Sequence, residues 1–250
     1  AWGSWVLLVV YGVLLVSALI RLPDAWPWLG RTVPLLKTWS DAIVAKAAWM
    51  AALGWANIAL GVGLGIYTGI LLNTMVARPL WNSAILGPLF LVSGLSAGAA
   101  VMHIAATLLQ GKQAPPGMIG GAFSAMLQPI GPQHPEKRTA ESLVRYDQVF
   151  LITELVFIGL FIANLQTSSA SHAAAAALIL TGPYALPFWV GVVVVGVVLP
   201  LAWPGLEWSH RIAHIVVPAV LVLVGGFTLR WVLVNAGQLS QIVPVASLGQ

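Results

Sequence analysis

The stretch Gly61-Val-Gly-Leu-Gly-Ile-Tyr67-Thr-Gly69 sets a phenol among glycines inside an otherwise apolar run. Glycines at 61, 65 and 69 recur every fourth residue, so on a helix they share one side and admit a partner helix or a flat ring at close range. Tyr67 lies about four residues from the end of its run, roughly 6–9 Å inside at 1.5 Å per residue. A phenol at that depth can hydrogen-bond a quinone carbonyl or pass a proton, and it can equally be an interfacial tyrosine. Asp147 and Glu154 are seven residues apart and share one face of a helix. Glu154 falls about two turns inside an apolar run, where an unpaired carboxylate is costly, so a neutral or partnered group is expected. Two readings stand for this pair: the start of a proton path, or a structural hydrogen bond between helices. His103 fits the same path, or a satisfied interhelical histidine. His103 and His214 lie at similar depth on different runs, which is what bis-histidine haem ligation needs. No nucleotide-binding glycine loop, Ser–His–Asp order or metal motif is present. No catalytic and no metal-ligating residue is therefore assigned.

The elements that must position these groups follow from composition. Hydrophobic residues make up 59% of the 250 and charged residues 7%, where a soluble domain carries about a quarter charged. Such a chain cannot cover its own surface with polar groups in water, which excludes a soluble enzyme. Its residues are better counted in spans of about 20. Six apolar segments stand out, at about 2–20, 47–72, 84–109, 149–165, 186–203 and 212–234. An all-α integral membrane protein is expected, a single transmembrane bundle over residues 1–250. The alanine run before the fifth segment is too short to span. Pro23, Pro79, Pro115-Pro116, Pro132 and Pro204 mark breaks between spans, while Pro200 and Pro218 lie at or inside them. No internal repeat is visible.

Charge gives the bundle a direction. Arg21, Arg31, Lys37, Lys46, Lys112, Lys137, Arg138, Arg145 and Arg211 fall on one side, and only Arg78 and Arg230 on the other. That bias turns the basic side to the cytoplasm and the C-terminus outward, across the inner (cytoplasmic) membrane of the cell. All seven acids belong to the cytoplasmic side or to helices beside it. Arg78 and Arg230 thus lack an acid on their own side. They either snorkel into headgroups or meet a counterpart supplied by another subunit, a ligand or upstream sequence. Eleven Lys and Arg in a chain mostly within lipid cannot form a nucleic-acid surface. Cysteine is absent, so any Cys-ligated iron–sulfur cluster must sit in another subunit.

Tyr67 followed by Arg78-Pro-Leu-Trp81-Asn82, then Pro88-Leu-Phe-Leu-Val-Ser93, resembles the polysulfide reductase membrane-subunit family (NrfD/PsrC-like). The ending Leu229-Arg230-Trp-Val-Leu-Val-Asn-Ala-Gly-Gln238 looks like that family's last helix, and Asp147 with Glu154 like its acidic helix. The match runs in register from Trp2 to about Gln238. Members have eight or more helices, so the resemblance implies that the six spans are the last six, with the first two helices missing. The start Ala1-Trp-Gly-Ser-Trp5, without Met or a basic n-region, fits missing upstream sequence rather than a cleavable signal.

The resemblance implies a quinone- or quinol-interacting membrane anchor of a respiratory oxidoreductase, with menaquinone or ubiquinone as cofactor and no haem or cluster in this chain. Tyr67 matches the family's quinone-site tyrosine by its eleven-residue spacing to Arg78, with Gly65 and Gly69 beside it. The family's partnering histidine and asparagine lie on the absent first helix. An iron–sulfur subunit would dock on the outer face against Arg78, Trp81, Asn82 and Arg230. Through it, a molybdopterin or multihaem subunit would carry the substrate chemistry. Asp147, Glu154 and His103 would conduct protons. The alternative is a proton-translocating or purely structural anchor that binds no quinone.

Overall fold

A long apolar run in lipid can satisfy its backbone only by closing every N–H and C=O within the segment, which makes it a helix. The computed structural model describes residues 2–25, 32–109, 137–206 and 216–242, and all its regular structure is helical. In chain order the helices are α1 (Trp2–Ala25), α2 (Pro34–Val44), α3 (Ala47–Asn73), α4 (Leu86–Leu109), α5 (Lys137–Ser168), α6 (Ala170–Leu180), α7 (Pro187–Val198), α8 (Leu199–Leu206) and α9 (Val217–Leu239). Five stretches among the described residues are long and apolar enough to cross a membrane: Ser4–Pro23, Ala47–Asn73, Leu86–Ile104, Arg145–Ser168 and Val217–Leu239. The protein is all-α, integral to the membrane and multi-pass.

The span expected at 186–203 takes another form. Pro187–Val198 winds as a π-helix and passes without a break into α8. The alanine-rich α6 has 11 residues, about 16 Å of helix, and does not span. Pro218 sits in the first turn of α9, where its missing N–H removes no helical bond. Pro23 lies inside α1, which runs two residues past the expected break. Residues 212–215 at the start of the sixth expected span, and His210, Arg211 and His214, lie outside the described residues.

The chain divides into two compact units. Among its described residues, the first unit holds α1, α2, α3 as far as Leu64 and the end of α4 from Ala105. Here Asn57 Nδ2 donates to Ser17 Oγ at 2.9 Å, a polar clasp between two spans. The second unit holds the end of α3, α4 as far as Ile104, and α5 to α9. Its core joins Leu86, Leu89 and Phe90 of α4 with Ile158, Phe161 and Leu165 of α5. Ala175, Ala176 and Ile179 of α6, Phe188 and Val192 of α7, and Leu229 and Leu233 of α9 complete it. α7 and α9 meet at two glycines: a Cβ on Gly225 would stand 2.1 Å from the Cα of Gly196. The backbones touch there because neither residue has a side chain.

Candidate functional site

Gly65 and Gly69 are filled by a helix. A Cβ on Gly69 would lie 2.3 Å from the Gly87 nitrogen, and one on Gly65 would lie 2.9 Å from Leu91 Cδ1. Pairing 69 with 87 and 65 with 91 sets the end of α3 antiparallel to the start of α4. Tyr67 stands between the two glycines in sequence, two residues from each. At about 100° per residue it projects from the side of α3 opposite to them. The structure therefore does not bring the three together on one surface. Tyr67 is half-buried, six residues or about 9 Å before the end of α3. Among the described residues no hydrogen bond is made by its hydroxyl.

The segment that follows α3 folds back over the end of α9. Arg78 Nη1 donates to the carbonyl of Ser240 at 2.9 Å and also to that of Gln238. These carbonyls lie at the C-terminus of α9, which has no further helical turn to supply donors and carries the negative end of the helix dipole. Leu80 N–H donates to Ser240 Oγ at 3.4 Å. The Trp81 indole is buried at 7% exposure over Gly237, and its Nε1 donates to Leu233 O at 2.8 Å. Any side chain on Gly237 would collide with that ring. Asn82 is half-buried, and its N–H returns to Arg78 O. Next to it, buried Ser83 donates to Asn164 Oδ1 of α5 at 3.0 Å. Arg78 and Trp81, expected as contacts of another subunit, thus hold this chain's own last helix.

Arg230, expected beside them, turns into the bundle. Its guanidinium donates to Ser93 Oγ at 3.3 Å and to Gly226 O at 2.8 Å, and lies over the Phe90 ring with 5.9 Å to the centroid. A Cβ on Gly226 would stand 3.2 Å from Nη1, so that glycine makes room for the group. Ser93 also hydrogen-bonds the carboxyl of Glu154, which is 4% exposed and within electrostatic reach of Arg230. One serine on α4 therefore bridges a cation from α9 and an acid from α5. Two turns earlier on α5, Asp147 accepts a hydrogen bond from Ser96 Oγ at 3.2 Å. His103, half-buried, lies seven residues beyond Ser96 on α4.

A polar line therefore runs inside the second unit from Arg230 through Ser93 and Glu154 to Ser96 and Asp147. Sequence reasoning finds the acids but misses the serines. Their signal is present in hydroxyls three residues apart on α4, a spacing that keeps both on one face. The Gly225-Gly226 pair, whose second glycine lies four residues before Arg230, is the corresponding sign on α9. Among the described residues, no group of three or more His, Cys, Asp or Glu gathers to hold a metal ion.

The chain is a multi-pass helical membrane protein in which two acids and an arginine are joined to serines between its helices. The chain belongs to the polysulphide reductase NrfD family, whose model matches residues 1–121 and 117–242. It is 32% identical over 183 residues to a polysulfide reductase subunit of Wolinella succinogenes, covering 72% of this chain and 51% of that one. It is 32% identical over 191 residues to protein NrfD of Escherichia coli, covering 73% and 52%. With the NrfD homolog of Haemophilus influenzae it shares 28% identity over 185 residues, 72% and 51%. The chain spans about half the length of the curated relatives it matches. No solved structure matches it.

Proposed function

We propose that this chain is the quinone-interacting membrane anchor of a respiratory oxidoreductase, exchanging electrons between a membrane quinone, menaquinone or ubiquinone, and an iron–sulfur partner subunit. The observation that carries the reading is the Tyr67 hydroxyl, half-buried near the end of a span and without a hydrogen-bond partner among the described residues. A phenol so placed donates to a quinone carbonyl that arrives through the lipid, and supplies or removes the proton that accompanies reduction or oxidation. The ring belongs on the face of α3 that carries Tyr67, away from Gly65 and Gly69, whose surface α4 occupies. Similarity to a protein named as a part of polysulfide reductase supports a place in a multi-subunit redox complex.

In this reading the partner docks on the end of the bundle that carries residues 74–82, facing outward from the inner membrane together with the C-terminus. A molybdopterin or multihaem subunit beyond it performs the substrate chemistry. Glu154, Asp147 and His103 exchange protons with the opposite side. The test is Tyr67→Phe in the assembled complex, measured as quinol-dependent turnover. Removing the hydroxyl should lower turnover about 10²-fold or more, the scale of a lost positioned proton donor, while the bundle stays intact. Full retained turnover would refute the reading.

A second reading has its own observation. The glycines that would cradle a ring are filled by α4, and the polar contacts of Arg230, Glu154 and Asp147 are made by serines of this chain. On that basis the chain is a proton-conducting or purely structural anchor. Unchanged turnover in Tyr67→Phe, with loss in Glu154→Gln, would favour it.

A further inference from the structure

The short helix α2 is joined to α1 through residues 26–33 and to α3 by Ala45 and Lys46. A chain that crosses once in α1 and returns in α3 keeps the connecting segment on one face of the membrane. At 11 residues, about 16 Å, α2 cannot cross. Its side chains sort into three directions at about 100° per residue. Leu36, Ser40 and Ile43 share one stripe, and Ser40 is 3% exposed with its Oγ donating to Ile20 O of α1 at 2.6 Å. Leu35, Trp39 and Ala42 form an adjoining stripe that no described residue covers, with Leu35 70% and Trp39 66% exposed. Lys37, Thr38 and Asp41 form the polar side, roughly opposite the middle of the two apolar stripes.

We propose that α2 is an in-plane interfacial helix, seating Leu35 and Trp39 at the headgroup–acyl boundary and holding anionic lipid headgroups with Lys37 and Lys46. Three observations on this one segment support it. The tether between two spans fixes it at the membrane surface, and the Ser40 bond presses it against the last turns of α1. Its uncovered apolar stripe carries a tryptophan, the residue whose amphipathic ring favours that boundary. Its exposed charges are Lys37 and Lys46 against Asp41, a basic excess that complements a leaflet of anionic phosphates.

The chain contains no cysteine, so single labels can be placed without background. Nitroxides at Leu35→Cys, Trp39→Cys, Thr38→Cys and Asp41→Cys would be measured in the full chain, in vesicles of phosphatidylcholine with phosphatidylglycerol. Labels at 35 and 39 should collide preferentially with oxygen, and those at 38 and 41 with a water-soluble nickel chelate. In the unlabelled chain, Lys37→Gln and Lys46→Gln should each lower the preference for spin-labelled phosphatidylglycerol over phosphatidylcholine by about fivefold. Nickel access at 35 and 39 equal to that at 38 and 41 would overturn the proposal. So would shielding of 35 and 39 from both reagents, which puts protein on the stripe. An unchanged lipid preference in both lysine variants would overturn it as well.

Discussion

Arg78 offers the sharpest test, because a docking contact and an internal clamp predict different losses. Its guanidinium donates to the Ser240 and Gln238 carbonyls at the end of α9, in a partly exposed setting. A hydrogen bond to a charged group contributes about 1.5–3 kcal/mol when well shielded, and a cation at a helix C-terminus about 0.3–1 kcal/mol. Exposure reduces both, which leaves about 2 kcal/mol for Arg78→Ala, or roughly a 30-fold change in the folding equilibrium. Arg78→Glu adds repulsion between a carboxylate and the negative helix end, and should cost about 3 kcal/mol in all. Arg78→Lys keeps the charge but not the planar fork, and should fall between wild type and alanine. The assay is equilibrium unfolding of the purified chain in mixed micelles, driven by the mole fraction of dodecyl sulfate. The order wild type, Lys, Ala, Glu in decreasing stability is expected. An unchanged midpoint in Arg78→Glu, together with release of a peripheral subunit from the complex, would refute the clamp and return Arg78 to the partner surface.

Two further sets of substitutions test the packing and the charged line by the same unfolding assay. Gly225→Ala drives a methyl into the Gly196 backbone and should destabilise by about 2 kcal/mol or more, whereas Gly159→Ala, with open space around it, should be neutral or slightly stabilising. Glu154→Gln and Arg230→Gln should each destabilise by about 1–3 kcal/mol, and the double variant should cost less than their sum by about 0.5–3 kcal/mol. Strict additivity would show that the carboxylate and guanidinium are independent.

The spans are legible in the sequence because lipid imposes a length and a composition that no packing detail can override. The winding of α7 is not. Pro187-Phe-Trp-Val-Gly-Val-Val-Val-Val-Gly-Val-Val has no charged or amide side chain to mark a face, so neither a 3.6-residue nor a wider period leaves a trace in it. Within the candidate site the acids are legible from their rarity, and their partners are not. Counting residues locates the Arg230 Cα near a helix end and so points the group outward. On a helix, however, side chains lean toward the N-terminus. In the structure α9 runs on to Leu239, so Arg230 stands nine residues or about 14 Å before the end that meets Arg78, and its side chain lies within the bundle at Ser93 and Glu154. Arg78 escapes for a different reason. Its partners are backbone carbonyls more than 150 residues away, and an unpaired carbonyl carries no residue type for the eye to find.

The glycines and the tyrosine lie on opposite faces of α3, and only the glycine face is packed against α4 by backbone contact. Gly65 and Gly69 bring α3 against α4 so closely that rotating α3 about its axis would drive Ile66 or Thr68 into the backbone of Leu86 and Gly87. That contact fixes the azimuth of α3 at this level. With the azimuth fixed, the direction of Tyr67 is fixed too, half a turn away. If Tyr67 meets a quinone as proposed, it gains from such a constraint, since its direction is held while its hydroxyl makes no hydrogen bond among the described residues. The glycine repeat thus acts on Tyr67 through the helix it orients. A substitution at Gly69 would disturb Tyr67 by turning or displacing α3, well before any ring came near the glycine itself.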